Sequence, residues 1–135
     1  MPTIDVAAGL IFHHGRLLIA QRFPEAHLGG LWEFPGGKVE TNETFAKCLR
    51  REIGEELGIE VKVLEEVADL VHDYPEKSVH LRFFRCALLS GDPQAIGCAA
   101  FAWIQPADLS IYEFPLADRE IVSLLELHPH WWTCV

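Results

Sequence analysis

Cationic side chains are scarce in this chain. Eleven lysines and arginines stand against 20 aspartates and glutamates, a formal charge of −9. A surface of that sign repels a polyphosphate backbone, which argues against duplex DNA or long RNA as a partner. A small phosphate ligand stays open if a divalent cation neutralises it locally. Long apolar runs are missing too. None reaches the roughly 18 residues a membrane span needs, so no membrane partner is expected. The opening MPTIDVAAGL lacks the basic stretch of a secretory leader, and a cytoplasmic location is the expectation. Cys48, Cys86, Cys98 and Cys134 include no CxxC pair, which argues against zinc and for reduced thiols. Repeats, linkers and low-complexity segments are absent.

Apolar material, by contrast, is plentiful. Half of the 135 residues are hydrophobic, enough to bury a core, and residues 1–135 read as a single domain. Residues 3–13 carry Ile4, Val6, Leu10, Ile11 and Phe12 in weak alternation. His14-Gly15 reads as a turn and Arg16–Arg22 as the return strand of a hairpin. A loop over 23–30 holds two glycines. Leu31–Phe34 is short and apolar, and Pro35-Gly36-Gly37 breaks the chain. Residues 43–57 are the strongest helix candidate. Thr41 or Asn42 can cap it, and Gly58 stands where helices stop. Ala46, Leu49, Ile53 and Leu57 fall on one arc at about 100° per residue. Val61–Asp73 and Ser78–Leu89 read as long strands around a turn at Tyr74–Lys77. Ala99–Ile104 reads as a short strand, Pro106–Leu109 as a helical turn and Leu116–Leu127 as a second amphipathic helix. The fold class is α/β of the α+β kind, a mixed sheet with helices packed on it.

Glu52, Glu55 and Glu56 stand at i, i+3 and i+4, on the arc beside the apolar stripe. Carboxylates that close repel one another. A solvated acidic face tolerates this at a small cost, whereas magnesium, which takes hard oxygen ligands, reverses the balance. Gly36-Gly37 lets backbone carbonyls approach the same ion. Arg51 can pair with Glu43 or a helix carboxylate and fix ligand geometry. The two readings of the acidic face are separated by a longer pattern. From Gly37 the chain runs five residues, Glu43, seven residues, then Arg51-Glu52-Ile53-Gly54-Glu55-Glu56-Leu57-Gly58-Ile59. This resembles the Nudix box, Gly-x5-Glu-x7-Arg-Glu-U-x-Glu-Glu-x-Gly-U with U apolar, at every defined position. Leu31-Trp32-Glu33-Phe34-Pro35-Gly36-Gly37-Lys38-Val39-Glu40, Ala20-Gln21-Arg22 and Phe114-Pro115-Leu116-Ala117-Asp118 are similar to the MutT branch of that family.

The resemblance implies a mixed, curved β-sheet sandwiched between helices. It also implies hydrolysis of a nucleoside triphosphate, notably 8-oxo-dGTP, to a monophosphate and pyrophosphate. Magnesium is the implied cofactor, with manganese able to substitute. Gly36, Glu52, Glu55 and Glu56 would hold the metal. Glu52, Arg51 and Glu55 would be the catalytic set, with Glu52 favoured as base. Arg22, His27, Glu33, Phe34, Pro35, Gly36 and Asp118 would contact the nucleotide.

Two departures qualify this. The prototype has asparagine where Asp118 stands, and an amide can donate and accept together. An ionised Asp118 only accepts: it could still take the N7–H of 8-oxoguanine, or the N4 amine of cytosine, which brings CTP or 5-methyl-dCTP in as the alternative substrate; Asp118 also suits a helix cap. The prototype also has a metal-binding glutamate where Gly97 stands, which motivates a non-catalytic nucleotide sensor as the reading of another class. The complete box argues against a sensor. Trp131-Trp132 have no counterpart and either pack on the body or join two copies, so monomer and homodimer both stay open.

Overall fold

Ala7–Phe12 are buried without a break, because β1 (Thr3–His13) has protein on both faces and strands on both edges. Ala7 and Ile11 face one core, Leu10 and Phe12 the other. The computed structural model describes residues 2–133. After β1 come β2 (Arg16–Gln21), β3 (Trp32–Glu33), β4 (Gly36–Lys38), α1 (Phe45–Leu57), β5 (Glu60–Asp73), β6 (Ser78–Ser90), β7 (Ala100–Ile104) and α2 (Arg119–Leu127). The strands form one sheet in the order β3-β2-β1-β6-β5, with β4 added to β1 and β7 to β2. β1 and β6 run parallel and the other pairs antiparallel. Register shifts along β5 and β6 bend that pair. α1 covers one face of the sheet, and α2 with the C-terminal residues covers the other. No helix among the described residues is long and apolar enough to cross a membrane.

On α1, Leu49, Ile53 and Leu57 are fully buried, each contributing about 2 kcal/mol by leaving water. The helix starts later than its sequence suggests. Thr44, not Thr41 or Asn42, is the cap, and its hydroxyl accepts the Lys47 amide at 3.1 Å. Residues 40–43 instead close a separate turn. The Glu43 amide donates to the Glu40 carbonyl, the Glu43 carboxylate accepts the Glu40 amide, and Asn42 is left-handed at φ 65°. Gly58 ends the helix as expected, at φ 69° with its amide on the Gly54 carbonyl. Gly36-Gly37, expected to be a break, is part of β4. A glycine there can lie flush on β1, since a Cβ on Gly36 would collide with the Ala7 carbonyl. Leu116–Asp118 form a 3₁₀ turn ahead of α2, and the Asp118 carboxylate makes no cap bond. The capping role expected of Asp118 therefore drops out.

The paired tryptophans fold back on their own chain. Trp132 is 2% exposed, meets Phe12 edge-on at 5.4 Å and donates its indole N–H to the Leu125 carbonyl at 3.2 Å. Trp131 stacks on His128 at 4.3 Å, and its carbonyl accepts from the buried Arg85 guanidinium, which also pairs with Glu65 at 2.8 Å. Cys48, Cys86 and Cys98 are buried free thiols; Cys134 lies outside the described residues.

At the far end of the sheet His80 on β6 bridges Asp69 on β5 at 2.6 Å and Asp5 on β1 at 3.1 Å. The Asp69 bond first, then Asp5, raises the imidazole pKa against the pull of burial. A raised folded value means the contribution is complete below the ordinary imidazole range and fades as pH climbs past the folded value. Thermal melts of the parent should therefore lose stability across that window, and His80→Gln should flatten the loss. Parallel pH curves for the two would discard this bridge as a pH-dependent tie.

Candidate active site

One cleft of about 420 Å³ runs between β1, β4, β6, the end of α1 and the turn before α2. At one end stand Gly36, Gly37, Glu56 and Gly97; at the other stand Arg22, Glu33, Phe34 and Asp118. The first end is set by α1 and β4. Gly37 is so close to α1 that a Cβ would collide with the Glu52 carboxylate. The Gly36 amide donates to the Glu56 carboxylate, whose Oε2 is buried and has no hydrogen-bond partner. Burial, then repulsion from Glu33 and Glu52, pushes Glu56 up to about 9. Glu52 is thus a close carboxyl neighbour of Glu56, and their proximity favours the neutral form of Glu56.

Arg51 organises the approach to this end. It holds Glu43 through two bonds of 2.7 and 2.9 Å and Glu52 through one of 2.8 Å, and donates to the Lys38 carbonyl at 3.2 Å. The fork on Glu43 drives that carboxyl down to about 2. Glu55 leans outward, 60% exposed, with Arg51 at 3.4 Å. Among the described residues no three His, Cys, Asp or Glu side chains form a ready-made metal cage. The Glu52–Glu56 pair with Glu33 nearby is nevertheless a hard-oxygen set carrying excess negative charge and one orphaned buried oxygen. That chemistry fits a divalent cation.

Gly97 lies beside Glu56 with no room to spare: a Cβ would sit 3.2 Å from the Glu56 Cα. The Ile96 and Gly97 amides both donate to the Glu56 carbonyl, at 3.1 and 2.9 Å, capping the end of α1. Behind β4, burial pushes the Cys48 thiol up to about 11, so it stays protonated.

At the other end Arg22 donates to the His27 carbonyl at 2.6 Å and to Glu33 at 2.7 Å. Burial outweighs this partner, so the Glu33 pKa is still raised. Asp118 is pushed up to about 7 by burial first and by Glu33 second, with Arg22 opposing. Phe34 stacks on Phe114 at 5.1 Å and lines the cleft. Pro35 does not line it; its carbonyl accepts the Gly9 amide at 2.8 Å behind the wall. The His27 ring meets Tyr74 at 6.4 Å across the mouth. Tyr74, Val79, Leu81 and Phe83 complete a wall that the sequence reading missed. The last three alternate along β6, so the period of two was the available signal.

The family model described as a NUDIX domain matches residues 7–124. The chain is 38% identical over 124 residues to the CTP pyrophosphohydrolase of Escherichia coli K12, covering 92% of this chain and 90% of that one. It is 45% identical over 82 residues to the 8-oxo-dGTP diphosphatase of Proteus vulgaris, covering 60% of this chain and 73% of that one. The solution structure of the E. coli ORF135 protein superposes with a TM-score of 0.83 at 33% identity, covering 100% of this chain and 96% of the other. A glutamate-bearing helix beside a glycine strand thus recurs here with the fold and the sequence spacing that go with it, and the chain belongs to the Nudix hydrolases, in their MutT branch.

Proposed function

We propose that this chain hydrolyses 8-oxo-dGTP, or a related oxidised purine nucleotide, to the monophosphate and pyrophosphate, with magnesium or manganese as cofactor. The observation that carries this is the continuity of the cleft: the carboxylate end at Glu56 and the polar end at Asp118 share one space. A nucleotide can place its phosphates at the first and its base at the second. Gly36, Glu52 and Glu56 would hold the metal, with Glu55 further out. Magnesium supplies neutralisation of the phosphates and activation of water. Glu52 would take the proton of the attacking water, and Arg51 keeps Glu52 oriented by its 2.8 Å bond. Phe34 would pack on the base, and Arg22 would hold Glu33 and the 22–31 loop around it.

Asp118 supports the oxidised purine. Burial and then Glu33 push its carboxyl up to about 7, which favours the neutral form well above the ordinary carboxylate range. Its neutral form both donates and accepts, as an asparagine does, and suits the O6 and N7–H edge of 8-oxoguanine. A second reading is CTP cleavage. It draws on the resemblance to the E. coli CTP enzyme and on ionised Asp118, which accepts from an N4 amine.

A nucleotide panel assayed for pyrophosphate release tests both. The kcat/KM ratio of 8-oxo-dGTP to CTP should fall as pH rises from about 6 to about 8, as Asp118 loses the proton that burial first and Glu33 second hold on it, with Arg22 favouring the loss. Asp118→Asn should hold the ratio flat. CTP preferred at every pH would replace the first reading by the second, and no turnover of any nucleotide would overturn both.

A further inference from the structure

Cys48 stands at the junction of three elements and nothing above uses it. Its Sγ lies 3.4 Å from the Gly37 carbonyl and 3.3 Å from the Lys38 carbonyl, so one S–H is shared between two acceptors. Gly37 is paired with Ala7 of β1 in the sheet, and the Arg51 guanidinium lies 4.0 Å from the same sulfur. On α1, Cys48 precedes Glu52 by four residues, so the two share a helix face. That face meets β4 twice, through the thiol and through the Glu52 carboxylate against Gly37. Arg51 adds its own bond to Lys38, but among the side-chain bonds described the Gly37 carbonyl receives only Cys48.

Glycine pairs have the widest backbone freedom of any dipeptide. A metal-holding carbonyl on such a pair is therefore only as fixed as its tethers. We infer that Cys48 is a positioning residue, its thiol fixing the Gly37 and Lys38 peptides against α1 so that the Gly36 carbonyl and Glu56 face one cation together. The inference deepens the metal reading proposed above and rests on it. Cys48 does not line the cleft, so its effect falls on metal affinity rather than on the chemical step. An alanine removes donor and acceptor together; a serine keeps both at a slightly shorter reach.

Mn²⁺ binding followed by electron paramagnetic resonance, on the parent chain, Cys48→Ala and Cys48→Ser, tests this. The alanine variant should bind Mn²⁺ about tenfold more weakly, the lower end of what losing an outer partner of a metal ligand costs, and serine should stay within about threefold of the parent. At saturating metal, kcat of the alanine variant should remain within about twofold while the metal needed for half activity rises in step with the binding constant. Without metal, amide hydrogen exchange supplies an independent readout. The Val39 amide, held on β1 by the Asp5 carbonyl at 2.9 Å, should exchange faster in Cys48→Ala while the Ile53 amide keeps its rate. Equal Mn²⁺ affinity in the parent and the alanine variant would overturn the inference, as would a serine variant as weak as the alanine one or faster exchange spread over α1. A parent chain that binds no Mn²⁺ would overturn the metal reading itself, and this inference with it.

Discussion

Glu56→Gln is expected to lower kcat by about a thousandfold while the protein stays folded. Glutamine keeps the shape of the side chain and an oxygen for the Gly36 amide, but it cannot carry the charge a cation needs. In metal-free protein the same exchange removes a group crowded by Glu33 and Glu52, whose repulsion is the second cause of its raised pKa after burial. Thermal melts without divalent ions should therefore show the variant as stable as the parent or more so. Magnesium should then raise the melting temperature of the parent and leave the variant unmoved, since a ligand stabilises only the state that binds it. Substantial turnover in the variant would show that Glu56 does not hold the metal. A variant that fails to fold would show that its buried oxygen is a structural element instead.

Trp132→Ala is the second large effect, and it acts on stability. The indole is 2% exposed, packs on Phe12 and spends its N–H on the Leu125 carbonyl. Truncation leaves a cavity that neighbours on β1 and α2 cannot fill, at a cost of about 4 kcal/mol. For a domain of this size that is a fall of about 15 °C in melting temperature. Trp132→Phe keeps most of the packing and loses the hydrogen bond, and should cost about 1 kcal/mol. Chemical denaturation of the two variants checks both figures. A loss under about 1 kcal/mol for the alanine variant would make the C-terminal turn peripheral to the core rather than part of it.

The glutamate spacing could be read from the sequence because a helix converts spacing into direction without help from the rest of the chain. The sequence left Arg51 to pair with Glu43 or with a helix carboxylate; it holds both, because the turn over 40–43 brings Glu43 back to the helix from outside it. β1 was harder. Its alternation is weak because Ala7 and Ile11 enter one core while Leu10 and Phe12 enter the other, so both parities are apolar. Asp118 was ambiguous since a cap and a cleft residue can occupy the same place before a helix. Only its burial, with no bond to the α2 amides, decides between them. Gly36-Gly37 looked like a break because the β1 edge that receives it lies nearly 30 residues earlier in the chain, beyond any local signal. The alternation of Val79, Leu81 and Phe83 marked one face of β6 but not that this face meets the cleft, and Tyr74 had no signal at all. The β6 residues reach the cleft because β6 docks parallel to β1, a pairing of distant segments. The fate of Trp131-Trp132 likewise depended on Phe12 and Arg85, far away in sequence.

The tight seat of β4 has a consequence for how this chain can vary. A side chain at position 36 strikes the Ala7 backbone, which cannot yield, whereas one at 37 meets the end of the Glu52 side chain and would displace that carboxylate. Replacements at 36 are expected to distort the strand and those at 37 to move Glu52, so altered substrate preference is not expected to emerge at either position. The opposite wall is different, since Arg22, Glu33 and Asp118 present side-chain atoms to open space. A mutant library aimed at new nucleotides should hold 36 and 37 constant and spend its diversity on those three positions.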